Sequence, residues 1–178
     1  MSQSATLYRV SAATFHQLKS TENRDTFDIA AISKSYSIFS GSFMGIEFVL
    51  TKEQDETTTT ILSEIFNPQQ VLSSPDFDQR TPEEQFDYYE NGNFIPYIND
   101  QKILIISEIL NGISEETIRK RYDGAELNAH RIYPEVWHND NSPDLVYNAH
   151  DLVERLHELK IIFQQAAKDK DYILVFIG

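Results

Sequence analysis

The chain has 178 residues, of which 28 are acidic and 15 are basic, so its net charge is −13 at neutral pH. It contains no cysteine, which excludes disulfide bonds, thiol nucleophiles and thiolate metal sites. The negative charge disfavours binding to the phosphate backbone of nucleic acids, and no apolar run reaches the roughly 20 residues that cross a bilayer, which excludes membrane insertion.

A single domain spanning residues 1–178 is expected, because a chain of this length suits one hydrophobic core. The first six residues lack the basic, apolar and small-residue pattern of a secretory signal. We therefore expect the protein to be cytoplasmic.

The N-terminal part predicts a strand followed by helices. Residues 7–10 are typical of a short strand, and Ser11 is placed to cap a helix over residues 12–19. The polar segment 20–28 predicts a loop. Apolar residues recur at helical spacing through residues 38–50, which predicts a second helix.

Glycine and threonine mark the next segment. Gly41 and Gly45 are four residues apart, a spacing that allows close packing of a neighbouring backbone. The polar segment 52–60 ends in four threonines and is either a linker or a helix start. The apolar residues between 61 and 66 suggest a short helix that ends at Asn67-Pro68.

Residues 73–93 form an acidic segment with a single basic residue, Arg80. We predict that this segment is a mobile insertion. Two interpretations of its charge are open: an acidic patch that docks a partner, or a solvated loop, which is the commoner role of a charge run. Its acids are Asp76, Asp78, Glu83, Glu84, Asp87 and Glu90.

Several short elements are predicted in the next part of the chain. Residues 94–98 are extended, and Asn99 can cap a helix that ends at Gly112. The next predicted helix begins at Ser114 and ends near residue 123, with acids in its first turn. A further helical turn is predicted over residues 125–130.

The C-terminal forty residues organise the predicted fold. Seven apolar residues fall along one helical stripe: Leu145, Ala149, Leu152, Leu156, Leu159, Phe163 and Ala166. This long helix starts either at Ser142, with Pro143 in its first position, or after Asn148. Residues 172–177 predict a strand buried on both faces. The fold class is therefore α+β, with a small sheet that includes the N-terminal and C-terminal strands and packs against several helices.

Some of these segments carry a family resemblance. The block Ile132-Tyr133-Pro134-Glu135-Val136-Trp137, preceded by Arg121-Tyr122-Asp123 and followed by the long helix and the final strand, resembles the YfbM-like family (DUF1877), bacterial domains of unknown function. The segment 43–51 is similar to that family's W-x-x-L-x-F-x-L-T helix, with Phe43 in place of tryptophan. The resemblance implies a compact α+β domain with the terminal strands in one sheet. It implies no activity.

Aromatic residues and histidines near Pro134 are candidates for a binding site. Tyr133 and Trp137 could form a recognition surface, or Trp137 could pack against the long helix in a buried corner, which we favour for the only tryptophan of the chain. His130, His138 and Asp140 are candidate acid and base groups, since histidine titrates near neutral pH.

His150, Glu154 and His157 share one face of the long helix and are candidates for metal ligands. A zincin helix needs two histidines four residues apart with a glutamate beside the first, and this pattern is absent. We favour a solvated helix face and expect no cofactor. No phosphate-binding glycine loop or nucleophile elbow is present in the sequence.

Two functional hypotheses remain. We favour a non-enzymatic, protein-binding or regulatory domain, with an immunity-like protein that neutralises a basic partner as one form of it, because the net charge is strongly negative and catalytic signatures are missing. The alternative is a small-ligand binder or enzyme with a pocket near Tyr133, Trp137, His130 and His138.

Overall fold

The computed structural model describes residues 3–21, 24, 27–73, 77–90 and 94–178, and within them the chain forms five strands and nine α-helices. The strands are β1 (Ser4–Val10), β2 (Ser35–Ser40), β3 (Gln70–Leu72), β4 (Ile95–Ile98) and β5 (Tyr172–Ile177). The helices are α1 (Ala12–Ser20), α2 (Ile29–Ile32), α3 (Phe43–Thr51), α4 (Glu56–Ser63), α5 (Pro82–Glu90), α6 (Asp100–Gly112), α7 (Glu115–Arg121), α8 (Gly124–Ala129) and α9 (Ala149–Asp169).

The strands form one antiparallel sheet in the order β2-β1-β5-β4-β3. Leu7 of β1 lies opposite Ser37 of β2 on one side and opposite Val175 of β5 on the other. The first and last strands therefore lie in one sheet, as predicted, and in addition they are direct neighbours. The α+β fold class is confirmed.

β5 lies in the middle of the sheet and is covered on both faces. Ile173 and Val175 belong to the larger core, which the sheet shares with α3, α6 and α9. Leu174 faces the smaller core on the opposite side, where Phe15 of α1 stacks on Tyr172 at a ring-centroid distance of 3.9 Å. The prediction of a strand buried on both faces is correct.

Helix α9 begins after Asn148, which decides between the two predicted starts. The Asn148 side chain accepts a hydrogen bond from the Asp151 N–H (3.0 Å) and donates to the carbonyls of Asp140 (3.0 Å) and Ser142 (2.9 Å). These bonds hold the preceding segment in a turn, so Leu145 lies outside the helix and is 39% exposed. Its assignment to the stripe was wrong. The remaining six stripe residues are buried.

The predicted helix over residues 38–50 is only partly correct. Its first residues belong to strand β2, in which Phe39 points into the core while Ile38 is exposed. Gly41 has a φ of +70°, a conformation that glycine adopts without strain, and it ends the strand just before α3. Phe39 lies in a strand and points into the core from there. Its apolar spacing to the residues of α3 therefore matched a helix by coincidence.

Most other helix predictions are confirmed, and side-chain caps explain their starts. Ser11, Asn99 and Ser114 each accept a hydrogen bond from a backbone N–H in the first turn of α1, α6 and α7. The threonine run is a helix start, because Asp55 caps α4. The predicted loop over residues 20–28 falls partly on residues outside those described, and it is followed by α2, which was not predicted.

The acidic segment 73–93 contains a 3-10 turn (Phe77–Gln79) and helix α5, neither of which the sequence analysis predicted. Residues 74–76 and 91–93 lie outside the described residues. The mobility of the segment stays a prediction. Across the described parts of the chain, no helix combines the length and the apolar character needed to cross a membrane.

Candidate functional site

The corner around Trp137 is a packed part of the interior. Trp137 is 4% exposed, its indole N–H donates to the Ile132 carbonyl (2.9 Å), and the Asn128 side chain bonds both its backbone N–H and its carbonyl. The end of the indole lies over Gly45 of α3, where a Cβ atom would be 2.1 Å from the ring. The predicted burial of Trp137 is therefore confirmed, and the contact that the end of its ring makes is with α3.

The other candidates around Pro134 make separate contacts. The Tyr133 hydroxyl accepts a hydrogen bond from the Gln3 N–H (3.3 Å), and the peptide bond between Tyr133 and Pro134 is cis. The His130 ring packs against Phe48, with 5.4 Å between ring centroids. Tyr133 and His130 are thus placed by different parts of the fold.

His138 and Asp140 support the backbone of the segment before α9. The His138 N–H donates to the Tyr147 carbonyl (2.9 Å), and its own carbonyl accepts from the Tyr122 hydroxyl (2.8 Å). Asp140 accepts a hydrogen bond from the Ser142 N–H (2.9 Å). In the described part of the chain, no hydrogen bond or ion pair joins the side chains of His130, His138 and Asp140, so their geometry shows no catalytic relay.

The candidate metal ligands on α9 face different partners. His150 lies 3.6 Å from Glu154 within α9, whereas His157 lies 2.9 Å from Glu115 of α7. No group of three histidine, aspartate or glutamate side chains that could hold a metal occurs among the residues described. The arrangement is that of a solvated helix face with two ion pairs that form when the histidines are protonated.

A polar cavity of about 480 Å³ lies beside the corner, and the sequence analysis missed it. Its charged lining residues are Lys52, Arg119, Lys120, Arg121, Asp123 and Glu126. Lys52 forms an ion pair with Glu126 and donates to the Arg121 carbonyl (3.0 Å), and Arg121 donates to the Leu50 carbonyl (3.3 Å). Two of the basic residues that line the cavity, Lys52 and Arg121, are therefore already engaged in contacts that hold α3, α7 and α8 together.

Tyr122 lies in the same cavity and keeps its proton. Burial raises the pKa of Tyr122 to about 12, and the negative charges of Asp123 and Asp151 add to this effect. The hydroxyl donates to the His138 carbonyl (2.8 Å) and to the Tyr147 carbonyl (3.2 Å). A phenol that is protonated and already donating cannot serve as a general base near neutral pH, so Tyr122 is a structural residue here.

Helix α5 in the acidic segment has a well-defined start. The Thr81 N–H donates to the Glu84 carboxylate (2.8 Å), and the Glu84 N–H donates back to the Thr81 hydroxyl (3.3 Å), which is a capping box. Pro82 occupies the first helical position, where its missing N–H costs nothing. Threonine, proline and glutamate in this order were the sequence signal for the helix.

Buried contacts attach α5 to the rest of the domain. Tyr88 is 6% exposed, and its hydroxyl accepts a hydrogen bond of 2.6 Å from the guanidinium of Arg24, which is 2% exposed. Arg24 also donates to the Leu18 carbonyl at the end of α1 (2.8 Å). The Tyr88 ring packs on Phe77 with 5.3 Å between centroids. The inner face of α5 is therefore fixed to the domain.

The outer face of α5 combines an aromatic side chain with carboxylates. Glu83, Phe86, Asp87 and Glu90 are spaced by three, one and three residues, so they share one side of the helix. All four are exposed, and the Phe86 side chain is 64% exposed. We call these four residues the α5 face. An exposed aromatic ring surrounded by carboxylates suits contact with an apolar pocket that has a basic rim.

The fold and the side chains together define the class of protein: a small acidic α+β domain whose described strands form a five-stranded antiparallel sheet and whose helices carry a charged surface. The candidate catalytic residues are not assembled into one site in this domain. Within that class, the chain belongs to the family described as "Domain of unknown function (DUF1877)", whose model matches residues 1–176. The resemblance to the YfbM-like family is confirmed.

The fold is similar to the crystal structure of a protein of unknown function, YfbM from Escherichia coli. The TM-score is 0.65 with 12% sequence identity, and the match covers 100% of both chains. At this identity the similarity shows the fold alone. No curated protein matches the sequence.

Proposed function

We propose that the protein is a non-enzymatic binding domain whose α5 face docks a basic protein partner. The observation that carries the proposal is the 64% exposure of Phe86 among three carboxylates on a helix whose opposite side is anchored by Tyr88. An immunity-like role, in which the domain covers the functional surface of a basic protein, is the form of this proposal that suits its charge of −13.

The phenylalanine ring and the carboxylates of the α5 face are expected to contribute to binding in different ways. A phenylalanine that enters a partner's pocket supplies binding energy through the loss of water-exposed apolar surface. Carboxylates at the rim mainly accelerate association and exclude acidic partners, because exposed charge pairs add little affinity in water. The expected partner therefore has an apolar pocket with lysine or arginine at its edge.

The test begins with capture of partners on the immobilised protein, followed by calorimetry with the identified and purified partner. We expect Phe86→Ala to weaken binding by about 30-fold or more, since a central aromatic contributes about 2 kcal/mol or more. A triple variant that replaces Glu83, Asp87 and Glu90 with lysine should slow association and remove its salt dependence.

A matched control separates this site from the general charge of the protein. Glu108, Glu135 and Asp144 are exposed acids outside α5, and their replacement by lysine changes the net charge by the same amount. We expect this control to retain most of the affinity. Equal losses in both triple variants, or full binding by Phe86→Ala, would contradict the proposal.

The alternative of a ligand pocket formed by Tyr133, Trp137, His130 and His138 stays a prediction. The burial of Trp137 and the separate contacts of the two histidines do not favour it. Thermal-shift screening against metals, nucleotides and metabolites tests it, since a ligand at about 100 times its dissociation constant stabilises the fold by about 2.7 kcal/mol. His138→Ala is the variant to compare.

A further inference from the structure

Strands β4 and β5 separate halfway along the sheet. Ile98 pairs with Ile173 and Tyr97 pairs with Leu174, and the pairing stops there although both strands continue. In the same register, Pro96 would lie opposite Val175 and Phe94 opposite Ile177. The sheet is therefore open between the N-terminal end of β4 and the C-terminal end of β5.

The register also tells which backbone groups of β5 face this opening. Ser4 and Gly178 exchange two hydrogen bonds, from the Ser4 N–H (2.6 Å) and from the Gly178 N–H (2.9 Å). Residues of an antiparallel strand turn their N–H and C=O groups to alternate sides, so Phe176 and Leu174 bond toward β1 as Gly178 does. Val175 and Ile177 consequently direct their N–H and C=O groups toward β4.

Pro96 explains why the strands part at this point. By the same alternation, residue 96 is the position of β4 that would exchange both hydrogen bonds with Val175. Proline has no N–H, so it cannot donate to the Val175 carbonyl. The proline removes no hydrogen bond between β4 and β3, because residues 95 and 97 make the hydrogen bonds to β3 in the Gln70–Tyr97 and Leu72–Ile95 pairs.

A cavity of about 440 Å³ occupies the opening. Three phenylalanines, Phe66, Phe94 and Phe176, line it together with Pro96, and none of the lining residues carries a charge. This volume lies within the range of about 300–1,000 Å³ that is typical of small-molecule sites. The wall on the β5 side is the stretch from Val175 to Ile177, which contains the carbonyl that Pro96 cannot satisfy.

We propose that this cavity, the β4–β5 slot, binds an uncharged small molecule with an aromatic body and an N–H donor. The donor satisfies the Val175 carbonyl in place of the missing N–H of residue 96, and the aromatic body contacts the phenylalanines. A charged ligand is disfavoured because it would lose its hydration without gaining an ion pair. The proposal is independent of the α5 face, which lies on a different element.

Three indoles of similar shape test the chemistry, with binding followed by the backbone amide NMR signals of the uniformly ¹⁵N-labelled protein. Indole has the N–H donor, 1-methylindole lacks it, and indole-3-carboxylate adds a charge. We expect indole to saturate with a dissociation constant on the order of 1 mM or below, and to shift the signals of Val175, Phe176 and Ile177. 1-Methylindole should bind severalfold to about tenfold more weakly, and the carboxylate should not bind.

Two variants of the chain test the site. Pro96→Val restores an N–H opposite Val175 and should close the slot, so indole binding falls at least about tenfold while the protein stays folded. Val71→Trp fills the same cavity from β3 and gives a second route to the same loss if the first variant folds poorly. Pro143→Val, at an exposed position outside the slot, should bind indole as the unchanged protein does.

Each possible result of these binding experiments either supports or overturns the proposed ligand site. Saturable shifts at Val175–Ile177 that need the N–H and disappear when the slot is closed or filled support the proposal. Equal affinity for indole and 1-methylindole overturns the donor requirement and with it the proposed ligand class. Absence of saturable binding, or shifts confined to other parts of the chain, overturns the site.

Discussion

Replacing Gly45 with alanine should destabilise the protein, although alanine is the better helix former. Gly45 lies in α3 and is covered by the end of the Trp137 ring. A Cβ atom at residue 45 would lie 2.1 Å from Cη2 and 2.4 Å from Cζ2 of the indole. Real Cβ contacts lie well beyond these distances, so either the ring or the helix must move.

The indole has little freedom to move away. Its N–H donates to the Ile132 carbonyl (2.9 Å), and Asn128 holds the Trp137 backbone from both sides. Overpacking of a well-packed core costs about 1–3 kcal/mol and sometimes more. The higher helix propensity of alanine returns about 1 kcal/mol. Because the overlap is severe and the ring is held, we expect a net loss of about 2 kcal/mol in the free energy of unfolding.

Urea unfolding followed by tryptophan fluorescence measures this loss, because Trp137 is the single tryptophan of the chain. Gly112→Ala is the control: Gly112 ends α6, and a Cβ atom there would meet nothing within 4 Å. The control should be neutral or stabilised by up to about 1 kcal/mol.

A double-mutant cycle shows whether the indole is the cause. In a Trp137→Leu background, followed by circular dichroism, Gly45→Ala should cost much less, because the shorter side chain leaves space for the new methyl group. The reasoning fails if Gly45→Ala is as stable as the unchanged protein, or if its cost is the same in both backgrounds.

Three further predictions concern polar groups that the fold buries fully or in part. Tyr88→Phe should lower the free energy of unfolding in urea by about 1–3 kcal/mol, because it leaves the buried Arg24 guanidinium without the hydroxyl that accepts its 2.6 Å hydrogen bond; no change would show that this bond does not hold α5. Asn148→Ala should cost about 2–4 kcal/mol by the same measurement, since the side chain both caps α9 and bonds two carbonyls, whereas Ser114→Ala at the exposed cap of α7 should cost about 1 kcal/mol; similar costs would refute this ranking. Because its pKa in the folded state, about 12, exceeds the ordinary value of 10.0, Tyr122 contributes stability that is fully present below pH 10 and is lost as the pH rises toward 12. Thermal unfolding between pH 9 and pH 12 should therefore show a shallower decline for Tyr122→Phe, and parallel curves would count against the raised pKa.

The long helix was predictable because its signal is local and repeated. Six stripe residues from Ala149 to Ala166 are buried as the spacing requires. The start of the helix was harder, since Ser142 and Asn148 both have the chemistry of a cap. Asn148 is the cap because its amide also satisfies two carbonyls of the turn before it, and that geometry depends on the folded chain.

The region around Phe39 shows that a correct list of buried residues can give a wrong element. Phe39, Phe43 and Ile46 are all buried, as the apolar spacing predicts. They reach the core from two directions, because a strand ends at residue 40 and a helix begins at residue 43. The positive φ of Gly41 allows this change of direction. Apolar spacing alone does not contain that information.

In the acidic segment, composition hid a stronger local signal. The excess of acids suggested a mobile loop, yet Thr81, Pro82 and Glu84 form a helix start that could have been recognised from the sequence. The anchor of the helix could not, since Arg24 and Tyr88 are 64 residues apart. The docking-patch interpretation gains from this anchor, because a face held in place loses less conformational freedom on binding.

For Pro96, in contrast, the effect of the missing N–H can be recognised only when the strand order of the sheet is known. Within residues 94–98 the proline is compatible with the extended segment that the sequence predicts. Once β5 lies on one side and β3 on the other, the alternation of hydrogen bonds assigns the missing N–H to the β5 side. This assignment accounts for the end of the β4–β5 pairing beside the cavity. Pro96→Val, by restoring one donor, therefore tests the register and the proposed ligand site together.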